Sequence, residues 1–113
     1  MFRGEVCFVD LGPVIGCEIN GQKRRPVVVV SIDDINRKPL VVTVVPGTTS
    51  GKTFRNVAKV EPSATNGLSR ETFFQGHQVR ALDHSRFGSQ PAGRLSMAEM
   101  AAVEDAVRFS LGF

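Results

Sequence analysis

The chain has no tryptophan and no tyrosine, and its aromatic content is eight phenylalanines. A platform for stacking nucleobases is therefore poorly supplied. It has two cysteines, Cys7 and Cys17, too few for a zinc site and too far apart for a Cys-x-x-Cys pair. Cys7 lies in a strand-like run, where a buried free thiol is expected. A disulfide is disfavoured in a reducing compartment. No run approaches the roughly 20 apolar residues of a membrane span. The N-terminus leads directly into a strand pattern without signal-peptide character, so a cytoplasmic location is expected. Also missing are a P-loop, a Gly-x-Ser-x-Gly elbow, a metal-ligand cluster, internal repeats and low-complexity segments. These absences leave phosphate-ester chemistry without a metal or cofactor as the leading enzymatic reading.

What is present suits a single domain spanning residues 1–113. The composition is 42% hydrophobic and 22% charged, enough apolar material for one core without staples. The net charge is +3, unevenly placed: residues 23–59 hold eight Lys/Arg against two Asp, a local net of +6. Such a stretch favours a polyanion or an acidic protein segment as partner.

Residues 27–32 open with four consecutive valines, apolar on both alternating faces. That pattern predicts a central strand buried on both sides and opened by Pro26. Residues 40–45 form a second β-branched run. Pro46-Gly47-Thr48-Thr49-Ser50-Gly51 is expected to end it in a turn. Residues 5–11, 55–61, 71–74 and 78–82 read as further strands, and Asn66-Gly67 as a hairpin turn. Residues 33–37 are a polar break or one helical turn. Residues 12–25 are a long polar loop of the kind that often carries function. After Gly93 the period changes. Ser96 and Glu99 match a capping box, Met100, Val103, Val107 and Leu111 fall on one helix face, and Gly112 stops the helix. The whole predicts a mostly β domain: a small, partly closed barrel with one C-terminal helix.

If the two valine-rich strands are antiparallel neighbours, the start of one lies beside the end of the other. Arg25 and Thr48 then meet at one rim. A guanidinium offers a fork of donors that matches phosphate oxygens. A threonine hydroxyl donates to a phosphoryl oxygen, and the N–H groups of Gly47 to Thr49 add an anion-binding concavity. Together they suit the dianionic phosphorane formed when a 2′-OH attacks its neighbouring phosphodiester. The alternative is an ordinary turn whose hydroxyls cap backbone groups. A second candidate is an acid–base pair of His77 and His84.

Several short pieces, in this order and spacing, resemble the MazF/PemK family of toxin endoribonucleases. They are Arg3-Gly4-Glu5-Val6, Val9-Asp10-Leu11, Pro13, Gly16-Cys17-Glu18, Arg25-Pro26-Val27-Val28-Val29, Val45-Pro46-Gly47-Thr48-Thr49 and Gln78-Val79-Arg80-Ala81-Leu82-Asp83, followed by the closing helix. The resemblance covers nearly the whole chain. It implies an SH3-like barrel, a homodimer, and metal-independent cleavage of single-stranded RNA that leaves a 2′,3′-cyclic phosphate and a 5′-OH. It also implies an antitoxin whose acidic or amphipathic disordered tail covers the RNA groove. Arg25 and Thr48 match the family's catalytic positions. RNA contacts are expected from Glu18, Lys23, Arg24, Thr49, Lys52, Arg55 and Gln78. Two positions depart from the family: Cys17, where serine often precedes the glutamate, and Cys7, where an aromatic is frequent. Other readings of the same sequence are a non-enzymatic toxin of this barrel type that inhibits a topoisomerase, and an SH3-like interaction module.

Overall fold

The computed structural model of the chain describes residues 1–13, 15, 16, 18, 24–38, 40–88 and 90–113. Among the described residues seven strands are followed by a C-terminal helix. They are β1 (Glu5–Val9), β2 (Arg25–Val29), β3 (Val41–Thr48), β4 (Val57–Val60), β5 (Thr72–Gln75), β6 (Arg80–Asp83) and β7 (Gly93–Arg94). A single helical turn, α1 (Asp33–Asn36), joins β2 to β3, and α2 (Met97–Leu111) closes the chain. All pairings are antiparallel, in the order β4-β5-β3-β2-β1-β7, with β6 also on β3. The result is the expected mostly β architecture, a curled and partly closed barrel carrying a C-terminal helix.

The valine runs do what their β-branched chemistry predicts. Val27, Val28, Val29, Val42, Val44 and Val45 are all fully buried. Alternate residues feed opposite faces of the sheet. Val6, Val28 and Val45 pack with Phe74, Leu95, Met100, Val103 and Ala106, under α2. Val27, Val29, Val42 and Val44 pack with Cys7, Val9, Leu11 and Leu82 on the other face. Removing each such side chain from water contributes about 1.5–3 kcal/mol. The helix begins as the capping box requires. Glu99 N–H donates to Ser96 Oγ at 3.1 Å, and Ser96 N–H donates to Glu99 Oε1 at 2.8 Å. It ends at Gly112, whose φ of 78° a side chain would strain. Leu111 does not join the buried face; it is half exposed, and Ala106 packs in the core instead.

Three expectations change. First, β2 begins at Arg25, not Val27, because Arg25 and Pro26 pair with Val9 and Phe8 of β1. Second, Pro46-Gly47 does not end β3. The strand continues through Thr48, with Gly47 and Thr48 opposite Phe74 and Phe73 of β5. Gly47 serves close approach rather than a turn, since a Cβ there would lie 2.6 Å from Thr72 Cγ2 and 3.1 Å from the Phe74 ring. β5 and β6 share that edge of β3, and the 3₁₀ turn Gly76–Gln78 interrupts them opposite Val45 and Pro46. Pro46 has no N–H to give a ladder there. Third, β4 and β5 on either side of Asn66-Gly67 do pair antiparallel, but Asn66-Gly67 is not a tight turn between them. It lies in the long connection from β4 to β5, folded around a buried Asn66 side chain. Asn66 Oδ1 accepts from the N–H groups of Ser63 and Leu68, and its Nδ2 donates to Glu61 C=O and Glu99 Oε2.

Candidate active site

The site is set by strand register. Val27 pairs with Pro46, Val28 with Val45 and Val29 with Val44. Continuing that register outward by two residues sets Arg25 against Thr48. Directly opposed residues of an antiparallel pair present their side chains on the same face. Arg25 is fastened on its other side by β1, and Thr48 by β5. Both line one open cavity of about 450 Å³, together with Ser50, Lys52, Phe54, Asn56, Gln75 and Gln78.

Thr48 also makes the local contact that the alternative reading anticipated. Ser50 N–H donates to Thr48 Oγ1 at 3.3 Å, and Ser50 Oγ stands 3.3 Å from the same oxygen. The amide occupies a lone pair and leaves the hydroxyl hydrogen able to donate. The concavity expected from the N–H groups of Gly47 to Thr49 does not form, because Gly47 and Thr48 are extended and paired with β5.

The 3₁₀ turn between β5 and β6 forms the next wall. Gln78 lines the Arg25 cavity and also a neighbouring one of about 620 Å³, whose walls include Ile15, Glu18, His77 and Arg80. The two cavities therefore meet at Gln78 as one groove. Glu18 stands in it, its Oε1 accepting from Ile15 N–H at 2.6 Å. Thus Arg25, Thr48, Lys52, Gln78 and Glu18 are brought together along this groove.

Other expected contacts lie elsewhere. Arg24 donates to Phe8 C=O on β1. Thr49 is exposed but does not line the cavity. Arg55 turns outward, its guanidinium 4.2 Å from the centre of the Phe109 ring on α2. Its neighbours Phe54 and Asn56 take the cavity side. Lys23 and Cys17 lie outside the described residues. His77 and His84 do not pair. They flank β6 at opposite ends, and four strand residues span about 13 Å. His84 instead lines a separate cavity with Cys7 and Phe87.

Phe54, Asn56 and Gln75 were not legible as groove residues in the sequence. Gln75 arrives through the β4–β5 pairing, opposite Val57, and Asn56 through Gly76 N–H, which donates to its carbonyl at 2.8 Å. Neither contact has a local sequence signal.

Among the described residues no helix is long and apolar enough to cross a membrane. No group of three His, Cys, Asp or Glu among them is arranged to hold a metal ion. Perturbed titrating groups lie away from the groove. Burial pushes the Cys7 thiol up. The hydroxyl and N–H of Ser85 hold Asp83 below the usual carboxylate range.

Comparison with known proteins agrees with this fold. The chain is 38% identical to endoribonuclease MazF9 of Mycobacterium tuberculosis over 122 residues, covering 98% of this chain and 96% of that protein. It is 32% identical to endoribonuclease EndoA of Bacillus subtilis over 110 residues, covering 96% and 92%. Among solved structures, a mycobacterial endoribonuclease in complex with its cognate antitoxin superposes with a TM-score of 0.80 at 24% identity, covering all of this chain and 96% of that one. MazF of Deinococcus radiodurans gives the same TM-score at 23% identity, covering all of this chain and 97% of that one. Residues 2–111 match the family of PemK-like, MazF-like toxins of type II toxin–antitoxin systems, and this chain belongs to it.

Proposed function

We propose that the chain is a toxin endoribonuclease that cuts single-stranded RNA at a short sequence, without a metal, in the cytoplasm. The observation that carries this reading is the juxtaposition of Arg25 and Thr48 on one face, in a cavity that meets a second one at Gln78. Relatives that align over nearly the full chain are named endoribonucleases.

In the proposed reaction the 2′-OH loses its proton to solvent as it attacks its own 3′-phosphorus, the bond to the 5′-oxygen breaks, and that oxygen takes up a proton from solvent. A 2′,3′-cyclic phosphate and a 5′-OH result. Charge builds on the non-bridging oxygens of the phosphorane, where the Arg25 fork stabilises it. Arginine stays protonated in proteins, so Arg25 acts as an electrostatic clamp and donor rather than as a base. Thr48 orients the phosphate through its hydroxyl. Lys52 adds backbone charge, and Gln78 and Glu18 face the bases. As a partner we propose an antitoxin whose acidic or amphipathic disordered tail lies in the same groove, with the toxin acting as a homodimer. RNA and tail then compete, and both bind less tightly as salt rises.

The test is incubation of purified protein with a long single-stranded RNA in excess EDTA, with cut sites mapped by primer extension. Cleavage is expected to persist in EDTA and to vanish in Arg25→Ala. RNA left intact by the parent protein, or cut only with a divalent cation, overturns the reading.

A further inference from the structure

We propose that Phe54 stacks on a nucleobase beside the scissile phosphate and is an RNA-binding residue of the groove. This rests on the RNA-cutting activity above.

Phe54 is 66% exposed, whereas Phe73 and Phe74 are buried. Its ring contributes little to the core, yet its backbone is fastened. Val57 N–H donates to Phe54 C=O at 3.0 Å, closing a turn. One residue on, Arg55 lies against Phe109. Two residues on, the Asn56 carbonyl accepts from Gly76 N–H. On the other side, Gly51 approaches Phe73 so closely that a Cβ would lie 2.5 Å from it. An apolar ring is thus held in water on an anchored loop, in the cavity that holds Arg25 and Thr48.

That placement has a use. A phosphate on Arg25 brings its flanking bases to the same cavity. Every base has a π-face, so a rigid ring there gains affinity whatever the base. The amides of Asn56, Gln75 and Gln78 border the same space. Asn56 Nδ2 stands 2.5 Å from His77 Nδ1 and Gln75 Nε2 donates to Phe73 C=O at 3.3 Å, and each of these two NH2 groups has a second hydrogen to offer a base edge. The ring supplies the platform and the amides read the edge. The chain's scarcity of aromatics is thereby offset by the position of one.

The experiment uses the full chain. The parent cut site is first mapped in EDTA. A short RNA containing it is made with a 2′-deoxy nucleotide at the cut, which removes the attacking hydroxyl and permits binding measurements. Two further versions carry an abasic nucleotide immediately before or after the cut. Fluorescence anisotropy then gives Kd for the parent, Phe54→Ala and Phe54→Trp. On the intact RNA, Phe54→Ala is expected to weaken binding about 5- to 150-fold. On one of the abasic RNAs the same substitution is expected to change Kd less than 2-fold, because the stacking partner is already gone. Phe54→Trp is expected to stay within about 3-fold of the parent on every RNA. Thermal melts check that all variants fold. Equal losses on intact and abasic RNAs, or no loss on any, overturn the role of Phe54 and leave the nuclease standing. A parent protein that cuts no RNA overturns both.

Discussion

Gly76→Ala is the sharpest test of how the groove is braced. Gly76 is buried at the start of the 3₁₀ turn that carries His77 and Gln78, and it sits directly on α2. A Cβ there would lie 2.6 Å from the Ala106 carbonyl carbon, 2.7 Å from its oxygen and 2.9 Å from Val107 N. These are backbone atoms of a helix and cannot swing aside as a side chain would. Ordinary contact begins near 3.4 Å, so turn and helix must part by about 0.8 Å. The backbone at Gly76 is not left-handed, so the cost is steric alone. Overpacking of this kind costs about 1–3 kcal/mol, and a rigid neighbour puts it at the upper end, about 3 kcal/mol. Unfolding entropy of ~2.1 cal/mol/K per residue over 113 residues makes 1 kcal/mol worth about 4 °C, so Tm is expected to fall by about 12 °C. Circular-dichroism melts read the shift, and urea titration reads a lower midpoint at unchanged slope. RNA binding, measured where the variant is still folded, is expected to weaken as well, because Gln78 moves with the turn. Gly88→Ala is the control: nothing lies within 4 Å of its added methyl, and Tm is expected to hold or rise slightly. If Gly76→Ala melts within about 3 °C of the parent, α2 is not pressed on this turn and the account of the groove wall fails.

Asn66→Ala strips the N–H groups of Ser63 and Leu68 of their acceptor in a fully buried site, and urea unfolding is expected to show a loss of about 2–4 kcal/mol. Asp83 has a folded-state pKa depressed by Ser85, so its contribution to stability is complete above the unfolded carboxylate pKa and disappears as pH falls through the lower folded value. Asp83→Asn is therefore expected to lower the neutral-to-basic plateau of a stability-against-pH profile without changing its slope, and to flatten the acid limb so that the variant and parent converge at low pH. Cys7 is buried with its pKa raised by desolvation, so the reactive thiolate is scarce in the folded protein. In a Cys17→Ser background, its reaction with a thiol reagent at pH 8 is expected to be at least about 100-fold slower in buffer than in denaturant, because it then requires opening.

Sequence alone determined the framework. Consecutive β-branched residues have one good use, a strand buried on both faces, and the two valine runs adopted it. Ser96, Glu99 and Gly112 bounded the helix because capping is a local exchange of hydrogen bonds. The meeting of Arg25 and Thr48 followed from the same logic, since two adjacent antiparallel strands bring opposite ends together. Tertiary structure decided what local chemistry leaves ambiguous. Pro46-Gly47 reads as a turn, yet a missing Cβ serves equally where one strand must press on another, and only the approach of Thr72 and Phe74 selects between these uses. Asn66-Gly67 reads as a tight hairpin turn, yet the strands around it are joined by a longer connection, because the Asn66 amide side chain found backbone partners from five residues upstream to two downstream. Arg55 reads as a groove cation, and the ring of Phe109, 54 positions later, drew it away. Phe54 and Asn56 face the cavity in its place, since side chains of successive residues point apart and a long-range contact on one of them fixes the direction of its neighbours.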